Sequence, residues 1–327
     1  MRKLATIRRI IDIQPIPDAE KIEVAQVDGW KVVVKKDDFQ IGQLALYIEV
    51  DAFVPHELAP FLSKGKELRE FNGVKGERLR TVKLRGQISQ GLLLPAIDGA
   101  NEGDDVSEQL GIQKYEAPVS AQLAGQVRGN FPSFIPKTDQ ERIQNLGKEL
   151  AEWSQGNLHW EVTEKLDGSS MTVYLYQGEF GVCSRNLDLK EAEGNSFWKV
   201  ARHYQMEDKL RAIGRNLALQ GELIGEGIQK NPYRIHGQDF YLFDIYDIDA
   251  GRYLNSFERS SISMFGVNHC PVIGFTKIVD ETCNSLLAYA EGKSALCADT
   301  EREGLVYKCV EAPLSFKAIS NKFLLNQ

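Results

Sequence analysis

The sequence predicts an α+β protein in two parts. A small N-terminal β-barrel, for which the OB-fold is the economical form, precedes a larger domain of antiparallel sheets and helices. Three observations carry this reading. Short β-branched runs with turn residues between them fill the first hundred residues. An acidic stretch and then a proline-containing one interrupt that pattern. Beyond them, strand-like and helix-like segments intermingle.

Taken in order, Ile22–Val27, Lys31–Val34 and Leu44–Val50 read as strands, with turn signals at Asp28-Gly29, Asp37-Asp38 and Gly42. Arg78–Leu84 and Gly91–Pro95 read as two more. Any small antiparallel barrel fits this pattern as well as an OB-fold does. Residues 98–109 are acidic and contain glycine, as a surface loop would. The prolines of Phe131-Pro132-Ser133-Phe134-Ile135-Pro136 forbid regular structure. Thr138 or Asp139 can then cap a helix reaching Trp153, with Ile143, Leu146 and Leu150 at helical spacing. The expected domains are therefore 1–110 and 111–327, the boundary falling within 100–130. In the second, strands are expected at 159–165, 171–176, 219–224, 240–246 and 304–310. Helices are expected at about 196–218, 256–264 and 281–291.

Composition sets limits. The chain is 43% hydrophobic and 26% charged, with no apolar run long enough to cross a bilayer and no signal-peptide core at its start. Its five cysteines lack Cys-x-x-Cys spacing, which suits reduced thiols in the cytoplasm better than a disulfide framework or a zinc site. His159, His203, His236 and His269 show no metal spacing. The net charge of −7 means that a polyanion must be held by a local basic surface. The densest such stretch is Arg78-Leu79-Arg80-Thr81-Val82-Lys83-Leu84-Arg85. On a continuous strand Arg78 and Arg80 would share one face and Lys83 and Arg85 the other. Nucleic-acid contact by Arg78, Arg80, Lys83 and Arg85 and a solvated barrel rim explain that stretch equally well.

The segment Trp160-Glu161-Val162-Thr163-Glu164-Lys165-Leu166-Asp167-Gly168 delivers a lysine to a strand end and follows it with a tight turn. Attaching a nucleoside monophosphate to such a lysine requires an unprotonated amine and cations for the phosphate oxygens. It also requires an aromatic face for the base and carboxylates for metal-bound water. Later segments supply each type. Ser184-Arg185 adds a guanidinium, and Gly221-Glu222-Leu223 sets a carboxylate in an apolar strand. Phe243-Asp244-Ile245 adds an aromatic. Glu303-Gly304-Leu305-Val306-Tyr307-Lys308 gives a carboxylate and a lysine, and Phe316-Lys317 another lysine.

This ordered set resembles the motifs of the covalent nucleotidyltransferases, which include DNA ligases, RNA ligases and capping enzymes, over Trp160 to the C-terminus. Pro136-Lys137-Thr138-Asp139-Gln140-Glu141-Arg142 and Gly227-Ile228-Gln229-Lys230-Asn231 are similar to RNA ligase segments. Ala19-Glu20-Lys21-Ile22-Glu23-Val24-Ala25 and Leu84-Arg85-Gly86-Gln87-Ile88-Ser89-Gln90-Gly91-Leu92 extend the resemblance to the first third. The whole chain thus resembles the Deinococcus/Naegleria-type ATP-dependent RNA ligases: an OB domain ahead of an adenylyltransferase (ATP-grasp-like ligase) domain. Ten residues follow Lys317, so the auxiliary domain is expected to be N-terminal, unlike that of DNA ligases and capping enzymes.

The resemblance implies an RNA ligase that joins 3′-hydroxyl and 5′-phosphate ends, at nicks in duplexes, through lysyl-AMP and adenylylated RNA. ATP and Mg²⁺ or Mn²⁺ are the implied cofactors, and RNA the partner of a monomer without membrane attachment. Lys165 is the implied nucleophile. Glu164, Lys165, Arg185, Glu222, Phe243, Glu303, Lys308 and Lys317 are the implied nucleotide-binding residues. Asp167, Glu222 and Glu303 would hold the metal through water, and Lys317 would bind the α-phosphate and help lower the pKa of Lys165. The superfamily often has Lys-x-Lys at its last motif, where this chain has Ser315-Phe316-Lys317, so Lys308 or another cation is expected to stand in. Arg185 serves either the nucleotide or the nicked strand. A DNA or mixed RNA/DNA nick ligase is the alternative enzyme. A nucleic-acid-binding protein with an inactive transferase domain is the non-enzyme alternative.

Overall fold

The structure is a computed structural model in which residues 3–116, 125–262 and 266–326 are described. Part of the expected boundary region, and the last two residues of the helix expected at 256–264, lie outside them. The chain divides into two compact units. One comprises residues 1–117, 141–149 and 324–327, and the other 118–140 and 150–323.

The first unit is built of short antiparallel strands. β1 (Ala5–Arg9), β5 (Leu44–Ile48) and β11 (Leu92–Pro95) form one sheet in the order β1-β5-β11. β2 (Asp12–Pro15), β3 (Ile22–Val27) and β4 (Trp30–Lys35) form a second. β6 (Ala52–Pro55), β7 (Arg69–Phe71), β8 (Val74–Arg78) and β12 (Gln113–Lys114) form a third, and β9 (Val82–Leu84) pairs with β10 (Gln87–Ser89) as a hairpin. Period-two alternation explains β4, where Trp30, Val32 and Val34 are buried and Lys31 and Lys35 exposed. Residues 141–149, which begin with the short strand β14 (Glu141–Arg142), join this unit through particular bonds. The Trp30 indole donates to Asn145 Oδ1 at 2.6 Å, Gly29 N–H donates to the Gln144 carbonyl, and Arg142 donates to Asp51 at 3.0 Å.

The strand expected over 78–84 is interrupted. Leu79 and Thr81 turn inward, and Leu79 exchanges backbone bonds with Asp51 and Ala52. Pairing resumes at Val82 only within the hairpin. The two-faced basic strand therefore does not form. Arg78 is ion-paired to Asp51 at 2.5 Å, whereas Arg80, Lys83 and Arg85 are exposed, Arg85 in the left-handed turn of the hairpin.

In the second unit, β13 (Val127–Asn130), β16 (Ser169–Tyr176), β17 (Glu179–Cys183), β18 (Leu187–Leu189), β19 (Leu217–Gly225), β20 (Gln238–Asp247) and β21 (Arg252–Tyr253) make one large sheet. Its order is β13-β18-β17-β16-β19-β20-β21, and β22 (Asn268–His269) adds to β20 in parallel. β15 (Trp160–Lys165), β23 (Val272–Thr276), β24 (Gly304–Cys309) and β25 (Ser315–Ile319) make a second sheet in the order β25-β24-β15-β23. The α+β class and its antiparallel character stand as the sequence predicts. Met171, Val173, Leu219, Phe240 and Leu242 of the large sheet are buried with Phe197, Trp198 and Leu210 of the helices packed on it.

Two expected helices differ. The segment 196–218 is two helices, Ser196–His203 and Met206–Ile213, because Gln205 adopts a left-handed φ of 50° between them; Gly214 caps the second. Toward Trp153, only Gly147–Gln155 is α-helical. Upstream, Ile143 and Gln144 are buried in the first unit, and the Asp139 carboxylate binds side chains instead of capping a helix.

Candidate active site

Strand parity builds the site. Antiparallel register sets Thr163 opposite Val306 and Val306 opposite Lys317, so the three share one face of the β15–β24–β25 ladder. Glu161, Lys308 and Ser315 form the next row on that face, and Lys165 lies at its end. The alternate face carries Trp160, Val162, Tyr307 and Phe316, with the Tyr307 and Phe316 rings stacked at 4.6 Å. One face is therefore core, and the other presents ionisable groups.

Lys165 pairs with Gly304, which brings the preceding residue, Glu303, beside its side chain; Nζ lies 2.8 Å from the carboxylate. Burial pulls the Lys165 ammonium down, but Glu303, Glu222 and Asp167 together outweigh it and hold the pKa above its ordinary value. Glu222 lies on β19 opposite Ser170 and Tyr241. Burial, opposed by Lys165 and reinforced by Glu303 and Asp167, pushes its carboxyl up to about 8. Burial and the Glu303 charge push Asp167 up to about 7. The turn bearing Asp167 packs tightly: its N–H donates to the Tyr233 hydroxyl at 2.6 Å, and a Cβ on Gly168 would lie 2.5 Å from the Leu223 carbonyl.

Phe243 is an extra residue. The β19–β20 register passes from Gln220–Asp244 to Gly221–Leu242, leaving Phe243 in a bulge. Lys308 reaches that bulge from β24, donating to the Phe243 carbonyl at 2.6 Å and to Asp244 at 2.7 Å, with its ammonium 5.5 Å from the Phe243 ring centroid. Arg259, on the helix Ser256–Ile262, pairs with Glu161 and lies 3.8 Å from Asp244. A cavity of about 210 Å³ opens among Phe243, Thr163, Leu242, Arg259, His269 and Cys270. Burial and the nearby Arg259 charge lower the His269 pKa.

This is a lysine within an acidic ring, at the end of the same ladder face whose Thr163 lines the cavity beside Phe243. A family model described as RNA ligase matches residues 158–321, and an OB-fold domain model matches residues 4–96. The chain belongs to the RNA ligase family. An apo variant of Naegleria gruberi RNA ligase is 46% identical with a TM-score of 0.93, covering 100% of this chain and 98% of that one. A variant of the same enzyme with ATP and Mn is 46% identical at a TM-score of 0.93, with 99% of each chain covered. The enzyme with PPi is 47% identical at 0.93, covering 100% of this chain and 99% of that one. No curated protein sequence matches the chain.

In this RNA ligase the structure brings Lys165, Asp167, Glu222 and Glu303 within electrostatic reach of one another. Lys308 is committed to the Phe243 bulge. Arg185 and Lys317 each lie 3.2 Å from Asp139. The Glu164 side chain stands apart: parity turns it to the opposite face from Lys165, where it accepts from Ala295 N–H at 2.7 Å. Among the described residues, the charges that set the Lys165 pKa are the carboxylates of Glu303, Glu222 and Asp167, which raise it. Three residues escaped the sequence reading of roles: Thr163, Arg259 and Asp139. Thr163 shares the parity of Lys165 on β15, a signal readable in the sequence. Arg259 and Asp139 are placed by tertiary register alone.

Among the described residues, no three His, Cys, Asp or Glu side chains converge closely enough to ligate a metal ion directly. The donors near Lys165 are carboxylates, the hard ligands that suit Mg²⁺ or Mn²⁺ held through water. No helix among the described residues is long and apolar enough to cross a membrane.

Proposed function

We propose that this RNA ligase is ATP-dependent and joins a 3′-hydroxyl to a 5′-phosphate at nicks in RNA duplexes, working as a monomer in the cytoplasm. The observation that carries the reading is Lys165 Nζ at 2.8 Å from Glu303, with Asp167 and Glu222 around it. In the first step the amine attacks the α-phosphorus of ATP, forming an N–P bond as the P–O bond to pyrophosphate breaks. The Glu303 carboxylate is within reach of the proton shed. An oxygen of the RNA 5′-phosphate then displaces the lysine, and finally the 3′-hydroxyl displaces AMP. A divalent cation, held through water by Asp167, Glu222 and Glu303, would offset the acidic ring that keeps Lys165 protonated.

Phe243, presented by its bulge, supplies the face for adenine, and Thr163 lies in the cavity beside it. Lys317 and Arg185 supply cations for phosphate. The exposed Arg80, Lys83 and Arg85 support contact with the RNA backbone, while Arg78 is held by Asp51. The five cysteines are all free, which fits a reducing compartment.

The test incubates the protein with α-³²P-labelled ATP or GTP and Mg²⁺ or Mn²⁺, followed by denaturing electrophoresis. Label from ATP alone, discharged by a nicked RNA duplex with a 5′-phosphate, is the expected result. Absence of label from protein shown to be free of AMP would overturn the reading. Equal sealing at a DNA 3′-hydroxyl would move it to a mixed nick ligase. A second prediction follows from the Asp167 turn. Gly168→Ala forces the turn away from β19, and lysyl-AMP formation is expected to slow by about 10²-fold, as for a displacement near 1 Å. A wild-type single-turnover rate would contradict that placement.

A further inference from the structure

Asp139 precedes the reactive strand and has no role in the chemistry described so far. Its Oδ1 is 3.2 Å from Lys317 Nζ, and its Oδ2 is 3.2 Å from Arg185 Nη2. These cations come from different sheets: Lys317 from β25, and Arg185 from the turn between β17 and β18. A single carboxylate thus ties together two groups assigned to phosphate.

The segment that carries Asp139 is itself fixed. Ile135 is 3% exposed and packs with Tyr174, Cys183 and Ala218. The Pro136 carbonyl accepts from Gln220 Nε2 at 2.8 Å, and Lys137 Nζ donates to Asn186 Oδ1 at 2.7 Å. Asp139 is therefore presented from an anchored backbone. Lys317, at the other end of the bridge, is only 7% exposed. A buried ammonium on a flexible four-carbon stem needs a counter-charge to stay in place.

We propose that Asp139 is a positioning residue for lysine adenylylation: its carboxylate gathers Lys317 and Arg185 into an anion-receiving pair before ATP arrives. The inference rests on the reading of Lys165 as nucleophile. A carboxylate with an ammonium on one oxygen and a guanidinium on the other holds the two cations beside a single group. The ammonium has three donors, so Lys317 can keep Asp139 and accept a phosphate oxygen together. Preorganisation of this kind acts on charge that develops during the reaction and shows in the maximal rate more than in ATP capture.

The test is single-turnover formation of lysyl-AMP by wild type, Asp139→Asn and Asp139→Glu across ATP concentrations, with a thermal melt of each. Asp139→Asn is expected to lower the rate at saturating ATP by about 10–10²-fold, with half-saturation and melting little changed. Asp139→Glu, which keeps the charge, is expected to recover most of the rate. Wild-type kinetics in Asp139→Asn, or a loss confined to half-saturation, would overturn the inference; Asp139→Ser takes its place if the amide variant does not fold. If wild type itself forms no lysyl-AMP, the ligase reading fails; normal wild type with unaffected variants fails this inference alone.

Discussion

Lys165→Ala is expected to take no label from α-³²P-ATP under any metal condition, because the nitrogen that would bond to phosphorus is gone. No neighbour can replace it. Lys317 and Lys308 are held by Asp139 and by the Phe243 bulge. The defect should be confined to the steps in which the amine reacts. Given a strand already carrying 5′-adenylate, the variant keeps Asp167, Glu222, Glu303 and both phosphate cations, and should still form the phosphodiester. Sealing of pre-adenylylated RNA with no self-labelling is the decisive pattern. Residual labelling of Lys165→Ala would mean that a different side chain is the nucleophile.

Arg259→Ala carries the largest expected effect on stability. Arg259, Glu161 and Asp244 are 6%, 5% and 5% exposed, and the guanidinium pairs with both carboxylates. Its removal leaves two buried acids with less compensation. Breaking a buried pair in this way costs about 3–5 kcal/mol, a large share of the total for any domain. Urea unfolding should show the loss as a shifted midpoint at unchanged slope. Arg259→Met with Glu161→Gln, which removes both charges and keeps volume, should recover much of it. A loss below about 1 kcal/mol for Arg259→Ala would place the pair among weak surface bridges. Because Asp244 follows the Phe243 bulge and also receives Lys308, the variant should weaken nucleotide binding too.

The candidate site residues could be singled out in the sequence because the reaction dictates their types and strands dictate their surroundings. A lysine ending an alternating strand, or a glutamate inside an apolar one, needs a partner or a ligand, and the structure places charged partners around Lys165 and Glu222. The antiparallel class was legible from the same alternation. Features set by non-local register were hidden. Nothing in Tyr241-Leu242-Phe243-Asp244 announces that Phe243 is unpaired, since the bulge exists only relative to β19. Nothing local marks Asp139 as a bridge; its propensity to cap helices points elsewhere. The break at Gln205 depends on a left-handed residue that is not glycine, so the helical pattern ran on through it. The basic run at 78–85 read as one strand because inward-turning Leu79 and Thr81 keep its alternation.

The two-faced ladder of β15, β24 and β25 has a consequence for how such an enzyme can diversify. Residues 161, 163 and 165, with 306, 308 and 317, lie on the face that carries the ionisable groups, while 160, 162, 307 and 316 lie on the aromatic face. Substitutions of one parity can retune base or phosphate preference while leaving the aromatic stack intact. A single-residue insertion in β15 would instead exchange the two sets and cost fold and chemistry at once. Directed libraries at residues 163 and 306, which leave the aromatic stack and the buried Glu161–Arg259 and Lys308–Asp244 pairs in place, would search specificity on an unchanged scaffold.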